Sequence, residues 1–285
     1  MNLKKILTVW PQYLLPHHAL SQLMAKLTHC ENPLWKNSFI KLIIKLYGVN
    51  MAEAKYENLD HYPSFNHFFT RELKADARPI CSASNSIASP ADGVISQSGQ
   101  IENGQIFQAK GHSYTALELL GGDAERAAAF SNGNFATIYL SPKDYHRLHM
   151  PLNGTLREMI HIPGRLFSVN QATVSNVPNL FARNERVACI FDTDAGPMAL
   201  ILVGAIFVSS VETVWHGVVT PPTLSEARSW NYQDQTLQLA KGDEMGRFNM
   251  GSTIIVLFGE NQTAWNDTLI AGQAVKLGEA IGNCL

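Results

Sequence analysis

The run Met198–Val208 reads MALILVGAIFV, 11 residues without a charged or polar side chain. A helix that crosses a bilayer needs about 20 apolar residues. The run is too short for that, and Gly204 interrupts it. Aliphatic and β-branched residues over this length predict a buried strand. Shorter runs of the same texture lie on both sides, at 94–96, 135–140, 187–191 and 253–258, separated by Gly- and Pro-bearing segments. This punctuation predicts a β-rich body from about residue 87 onward, with no long helix beyond a turn or two around Leu117–Leu120.

The first 70 or so residues follow a helical period instead. Leu20, Leu23, Met24 and Leu27 form one stripe, and Pro16 stands near the start of that helix. Phe39–Tyr47, FIKLIIKLY, is apolar except for Lys41 and Lys45, which are four apart and so share a face. Such a helix suits a core with one wet edge, or a membrane interface in which the lysines snorkel to headgroups. Residues 1–50 hold Lys4, Lys5, Lys26, Lys36, Lys41 and Lys45 but a single acid, Glu31, while the whole chain has 22 basic and 24 acidic residues. A basic, apolar N-terminus on an acidic body predicts contact with an anionic surface. Pro11 and Pro16 break the apolar stretch after Lys4 and Lys5, and no small-residue cleavage site follows, which reads against a signal peptide. Residues 59–80 read as a connector with a short helix, in which the spacing of Arg71, Lys74 and Arg78 suggests a solvated face.

With 46% hydrophobic and 16% charged residues in 285, the chain can build a sizeable core and is not disordered. A net charge of −2 argues against nucleic acid as a partner. Cys30, Cys81, Cys189 and Cys284 form no C-x-x-C pair, which excludes a zinc ribbon and a thioredoxin-type site. Scattered thiols predict a reducing, cytosol-facing location.

Three segments carry candidate chemistry. Ser89-Pro90-Ala91-Asp92-Gly93 precedes a strand, and alone reads as turn chemistry. Asp144-Tyr145-His146-Arg147-Leu148-His149-Met150-Pro151 holds two histidines three apart. On a helical turn they point the same way, as a metal pair, as general bases or as structural histidines. No further ligand lies at a supporting short spacing, so a metal is the weakest of these. Met250-Gly251-Ser252-Thr253 runs straight into Ile254–Phe258. It is neither a G-x-S-x-G elbow nor a G-K-[ST] phosphate loop. Together the segments supply Asp, His and Ser near strand ends, the elements of a base-activated hydroxyl oriented by a carboxylate. By residue types alone, a serine hydrolase stays open beside other chemistries.

In this order and at these separations, S-P-A-D-G, D-Y-H-R-L-H-M-P and M-G-S-T resemble the prokaryotic-type phosphatidylserine decarboxylases. F-F-T-R-E-L-K at 68–74, A-R-P-I at 77–80, Q-A-K-G at 108–111 and P-G-R-L-F-S-V-N at 163–170 support the resemblance, which covers the chain from about residue 10 to its end. Met250 stands where the family usually has Leu, a swap between apolar side chains of similar volume.

The resemblance implies an α+β fold: a helical, membrane-associating N-terminal region (1–75) followed by an antiparallel β-rich catalytic domain (76–285). It implies a proenzyme that cuts itself between Gly251 and Ser252, giving a large chain 1–251 and a small chain 252–285 that stay together as a heterodimer, with further dimerisation left open. Ser252 attacks the Gly251 carbonyl, the ester eliminates to dehydroalanine, and hydrolysis releases ammonia to leave a covalent pyruvoyl cofactor. His149 is the expected base, with Asp92 holding its imidazole and favouring the charged form. The mature enzyme converts phosphatidylserine to phosphatidylethanolamine and CO2 through a Schiff base on the pyruvoyl group. His146 is expected to serve the decarboxylation step or to grip the substrate carboxylate. No metal is implied. A two-chain lipid substrate implies peripheral attachment to the cytoplasmic face of an anionic cell membrane. A hydrolase with an intact Ser252, and a membrane-surface binding protein without self-cleavage, are the competing readings.

Overall fold

The computed structural model describes residues 3–207, 210–221, 225–250 and 252–285, so Val208 and Gly251 lie outside the described residues. The chain mixes helices with antiparallel sheet and is β-rich. The largest sheet has nine strands, eight of them in the spatial order Arg228–Asn231, Gly154–Ile162, Arg186–Thr193, Gly196–Val203, Ser252–Phe258, Asn134–Leu140, Gly93–Gln100 and Ala274–Val275. Gln238–Leu239 pairs with Gly154–Ile162 off this path. The five apolar runs of the sequence are five consecutive neighbours here. Ser252–Phe258 lies among them, with Ser252 opposite Leu140 and Thr253 opposite Val203.

All seven residues of Ser252–Phe258 are buried, because both faces of the sheet are covered. Ile254, Val256 and Phe258 join one core with Met198, Leu200 and Leu202. Ile255 and Leu257 join the opposite core with Ala199, Ile201 and Val203. The alternation is the two-residue period of a strand. The 198–208 run leaves strand geometry at Val203.

A second, four-stranded sheet runs in the order Gly217–Thr220, Ser210–Thr213, Glu244–Asn249 and Arg147–His149. The chain therefore passes from Glu244–Asn249 in the small sheet to Ser252–Phe258 in the large one within two residues.

Three helices open the chain, at Leu3–Leu14, His17–Thr28 and Pro33–Tyr47. Pro11 sits inside the first helix, and Pro16 precedes the second. The third is well bounded: Asn32 Oδ1 accepts from the Leu34 and Trp35 amides, Pro33 holds the first turn, and Gly48 closes it at φ 70°. No helix of the described residues is long and apolar enough to cross a membrane.

The P-G-R-L-F-S-V-N segment docks the N-terminal helices. His17 Nδ1 accepts from the Leu166 amide (3.2 Å), His18 Nε2 donates to the Gly164 carbonyl (2.9 Å), and Gln12 Oε1 accepts from the Ser168 amide (2.8 Å). Leu14, Leu23, Leu34, Leu42 and Leu46 remain exposed, as do Lys41 and Lys45. Lys36 departs from the expected basic surface: it is buried, and its Nζ donates to Asn37 Oδ1 and the Leu59 carbonyl.

Candidate functional site

Ser252 is completely buried, and its hydroxyl has no hydrogen-bond partner among the described residues. A buried hydroxyl without a partner costs about 1–3 kcal/mol, and the neighbouring Thr253 hydroxyl is likewise without a partner among the described residues. Two residues before Ser252, Met250 holds φ 96°, a region that residues with a Cβ rarely enter. Neighbouring groups hold the approach in place. Asn249 accepts from Asn66 Nδ2 (2.9 Å) and donates to Ser210 Oγ, while Met250 packs against a cluster containing Phe65, Phe68 and Phe69. Backbone strain thus collects beside the Gly251–Ser252 junction. Gly251 itself lies outside the described residues.

The two histidines do not share a helical face. Arg147–His149 is a strand paired with Glu244–Asn249, so a spacing of three turns the side chains apart. His146 is fully buried with its ring 4.0 Å from that of Phe69. Its Nδ1 lies 2.9 Å from the Asp144 carbonyl, which can only accept, so Nδ1 carries the proton and Nε2 is a bare lone pair. That Nε2 has no partner among the described residues. Burial pushes the His146 pKa down to about 3, offset in part by the Asp144 carbonyl and deepened by the nearby Arg71 charge. His146 is therefore neutral throughout the neutral range.

His149 lines a cleft of about 240 Å³ with Tyr145, Arg78, Leu277 and Gly242. Its Nδ1 donates to the Gly242 carbonyl (2.8 Å), and its Nε2 accepts from the Tyr145 hydroxyl (3.2 Å). Burial raises the Tyr145 pKa, which keeps that donor protonated. Here the structure departs from the expectation for Asp92. The group that orients His149 is a backbone carbonyl, and burial lowers the His149 pKa below 6.5, so the neutral form is favoured over the charged one.

Asp92 is held elsewhere. Arg78 grips both of its oxygens, Nε to Oδ1 at 2.8 Å and Nη2 to Oδ2 at 2.6 Å, and the Leu277 amide donates to Oδ1 (2.9 Å). Gly93 lets this turn close against the sheet, since a Cβ there would stand 2.4 Å from the Tyr139 carbonyl oxygen. The turn and the His149 strand do meet through the backbone, where the His149 amide donates to the Pro90 carbonyl (2.9 Å). Asp92 lines an adjoining cleft of about 300 Å³ that shares Arg78, Leu73 and Tyr145 with the first.

The solvated face expected for Arg71, Lys74 and Arg78 is absent. The short helix ends at Phe69, and the three side chains go to different partners. Lys74 pairs with Glu57, Arg78 bridges Asp92 to Glu53, and Arg71 is buried with Nη2 on the Lys143 carbonyl. Spacing alone could not separate these basic residues from surface ones. Their positions inside F-F-T-R-E-L-K and A-R-P-I were the available signal. Tyr145 lies within D-Y-H-R-L-H-M-P, where its residue type alone signals no role. Among the described residues no cluster of three or more His, Cys, Asp or Glu could hold a metal ion.

Residues 65–283 match the family model for phosphatidylserine decarboxylase, and residues 7–48 match a model described as PSD. The chain is 58% identical over 284 residues to the phosphatidylserine decarboxylase proenzyme of Ectopseudomonas mendocina, covering 99% of each chain. It is 57% identical over 282 residues to that of Pseudomonas putida strain W619, covering 98% of each. With that of Azotobacter vinelandii it shares 56% over 274 residues, 95% of this chain and 96% of the relative. On this match over most of its length, the chain belongs to the phosphatidylserine decarboxylase family.

Proposed function

We infer that this chain is an enzyme that decarboxylates phosphatidylserine to phosphatidylethanolamine and CO2, and that it is made as a proenzyme. The observation that carries the self-processing part is the Ser252 hydroxyl, buried and unpartnered, two residues after the strained Met250. Ser252 is the nucleophile for the Gly251 carbonyl carbon, and the chain parts between 251 and 252. His149 takes the hydroxyl proton, with Asp92 acting from the neighbouring turn. The Pro90–His149 backbone bond and the shared walls of the two clefts support this grouping. The oriented Nε2 of His149 is the lone pair such a base requires, and Tyr145 occupies it at rest.

A pyruvoyl group formed from Ser252 supplies the electron-withdrawing carbonyl on which decarboxylation depends. The site fits it, because the parent hydroxyl is buried and without a hydrogen-bond partner among the described residues. His146 is placed to handle a proton in the later step. A bare, neutral Nε2 repels a carboxylate, so proton handling suits it better than gripping the substrate's acid group.

The processed chains 1–251 and 252–285 stay paired, since Ser252–Phe258 keeps its place between two strands of the large chain. Residues 1–75 form the membrane-surface region and 76–285 the catalytic domain. The exposed leucines with Lys41 and Lys45 support peripheral attachment to an anionic bilayer, and four free cysteines suit the reducing cytoplasmic face. The test is incubation with phosphatidylserine vesicles. Equimolar CO2 and phosphatidylethanolamine support the reading, whereas release of fatty acid or serine by an uncut chain supports a hydrolase.

A further inference from the structure

Arg71 has an environment that its fold neighbours do not complete. It is 4% exposed, yet its Nε and Nη1 have no partner among the described residues. Only Nη2 is engaged, at 3.1 Å from the Lys143 carbonyl, and the Phe68 ring covers the guanidinium 5.4 Å away. The nearby carboxylates are committed to other groups. Asp92 is saturated by Arg78 and the Leu277 amide, while Asp144 accepts from the Ser141 amide and hydroxyl, both at 2.7 Å. Desolvation works against the Arg71 charge, and burying a cation without paired acceptors is costly.

Arg71 lines the 300 Å³ cleft that also holds Asp92 and Tyr145, and Lys143 stands on the same wall. Lys143 is exposed and makes no ion pair among the described residues. The other basic residues of the cleft are spoken for: Arg78 by Asp92 and Glu53, and Lys276 by Glu53. Uncommitted positive charge therefore sits at one place, the Arg71–Lys143 corner. Gly48 and Asn50, which follow the helix carrying exposed Leu42 and Leu46, also line this cleft. The segment Phe69–Arg71 also reaches the reaction centre, through Phe69 on the His146 ring and the Thr70 carbonyl on Arg147 Nε (2.9 Å).

We propose that Arg71, assisted by Lys143, is the oxyanion subsite for the substrate headgroup, binding a phosphodiester or carboxylate oxygen through the two open guanidinium donors. The inference deepens the decarboxylase reading and rests on it. Arg71 provides the donors that His146 lacks, and it does so within a cleft lined by residues that follow the helix with exposed Leu42 and Leu46.

The test uses the self-processed full-length protein in mixed micelles. Wild type, Arg71→Met, Arg71→Lys and Lys143→Ala are compared for kcat and KM with phosphatidylserine, and for inhibition by phosphatidylethanolamine. Intact mass reports self-cleavage in each. Charge-assisted hydrogen bonds of this kind predict a rise in KM of about tenfold or more for Arg71→Met, and a smaller rise for Lys143→Ala. Arg71→Lys should recover part of the loss, because it keeps the charge but not the fork. If the bound oxygen belongs to the phosphodiester, which the product retains, inhibition by phosphatidylethanolamine weakens in parallel. If it belongs to the carboxylate, which the product lacks, product inhibition stays unchanged while KM rises. Unchanged KM in all three variants overturns the proposal, and so does a folded Arg71→Lys that no longer cleaves itself. If Arg71→Met does not fold, Arg71→Lys and Lys143→Ala decide by the same readouts. A wild type that turns over no phosphatidylserine instead overturns the decarboxylase reading.

Discussion

Arg78 meets Asp92 through a two-pronged contact, 2.8 Å and 2.6 Å, and the same guanidinium reaches Glu53 at 2.7 Å. One side chain thus ties the connector, the S-P-A-D-G turn and the 3-10 turn after the N-terminal helices. Through the Leu277 amide on Asp92 the tie extends to the chain beyond Ser252. Both partners of the central pair are largely buried, with side chains 8% and 9% exposed.

Removing Arg78 leaves Asp92 buried without its cation. Arg78→Met should lower stability by about 3–5 kcal/mol, as expected for a broken buried pair, and slow self-cleavage. Thermal melts and an intact-mass time course check both effects. A variant as stable and as quickly processed as wild type would count against the clamp.

Glu53 adds an acid-dependent part. The Arg78 hydrogen bond holds its carboxyl below the usual 4.5, against some opposition from burial. Its folded pKa lies below the unfolded one, so its stabilisation is full above pH 4.5 and disappears as pH falls through the lower folded value. Glu53→Gln should lose stability at pH 7 and show a shallower decline on acidification. Urea midpoints at several pH values read this directly.

His146 has a proton linkage of the same sign, in a window that begins at higher pH. The unfolded chain takes up a proton near pH 6.5, while the folded site resists until about 3. Its contribution therefore becomes increasingly unfavourable as pH falls through this window. His146→Ala should flatten that part of the stability profile. It should still process, but decarboxylate at least 100-fold more slowly, on the order expected for a lost acid–base group. Failure to cut would move His146 to the maturation step.

The five apolar runs were legible because central strands with two covered faces need continuous hydrophobic sequence. Gly154–Ile162, GTLREMIHI, mixes polar and apolar residues nearer the sheet edge and gave no such run. The histidine spacing suggested a helical turn because pairing with Glu244–Asn249 is a long-range fact, invisible locally. Asp92, His149, His146 and Ser252 were legible as residue types in motifs. Their partners were not, since Gly242 contributes only a carbonyl and Arg78 looks like any surface arginine until its burial is seen.

The N-terminal helices yield a surface prediction. Lys41→Gln with Lys45→Gln should weaken binding to anionic vesicles by about 2 kcal/mol, roughly thirtyfold, at about 1 kcal/mol per lysine. Sedimentation at low and high salt checks it. High salt should narrow the gap. Equal binding by wild type and variant at low salt would remove the electrostatic role.

The central claim is that Ser252 becomes the terminus of a second chain. Ser252→Ala should fold without loss of stability, since it removes a buried hydroxyl that has no partner among the described residues, yet remain a single inactive chain. The most direct measurement is denaturing intact mass on the wild-type protein. Two chains are expected, 1–251 and 252–285, with the small one lighter by one ammonia than a peptide starting with serine. A single species near 31.5 kDa that persists under native conditions would contradict the account.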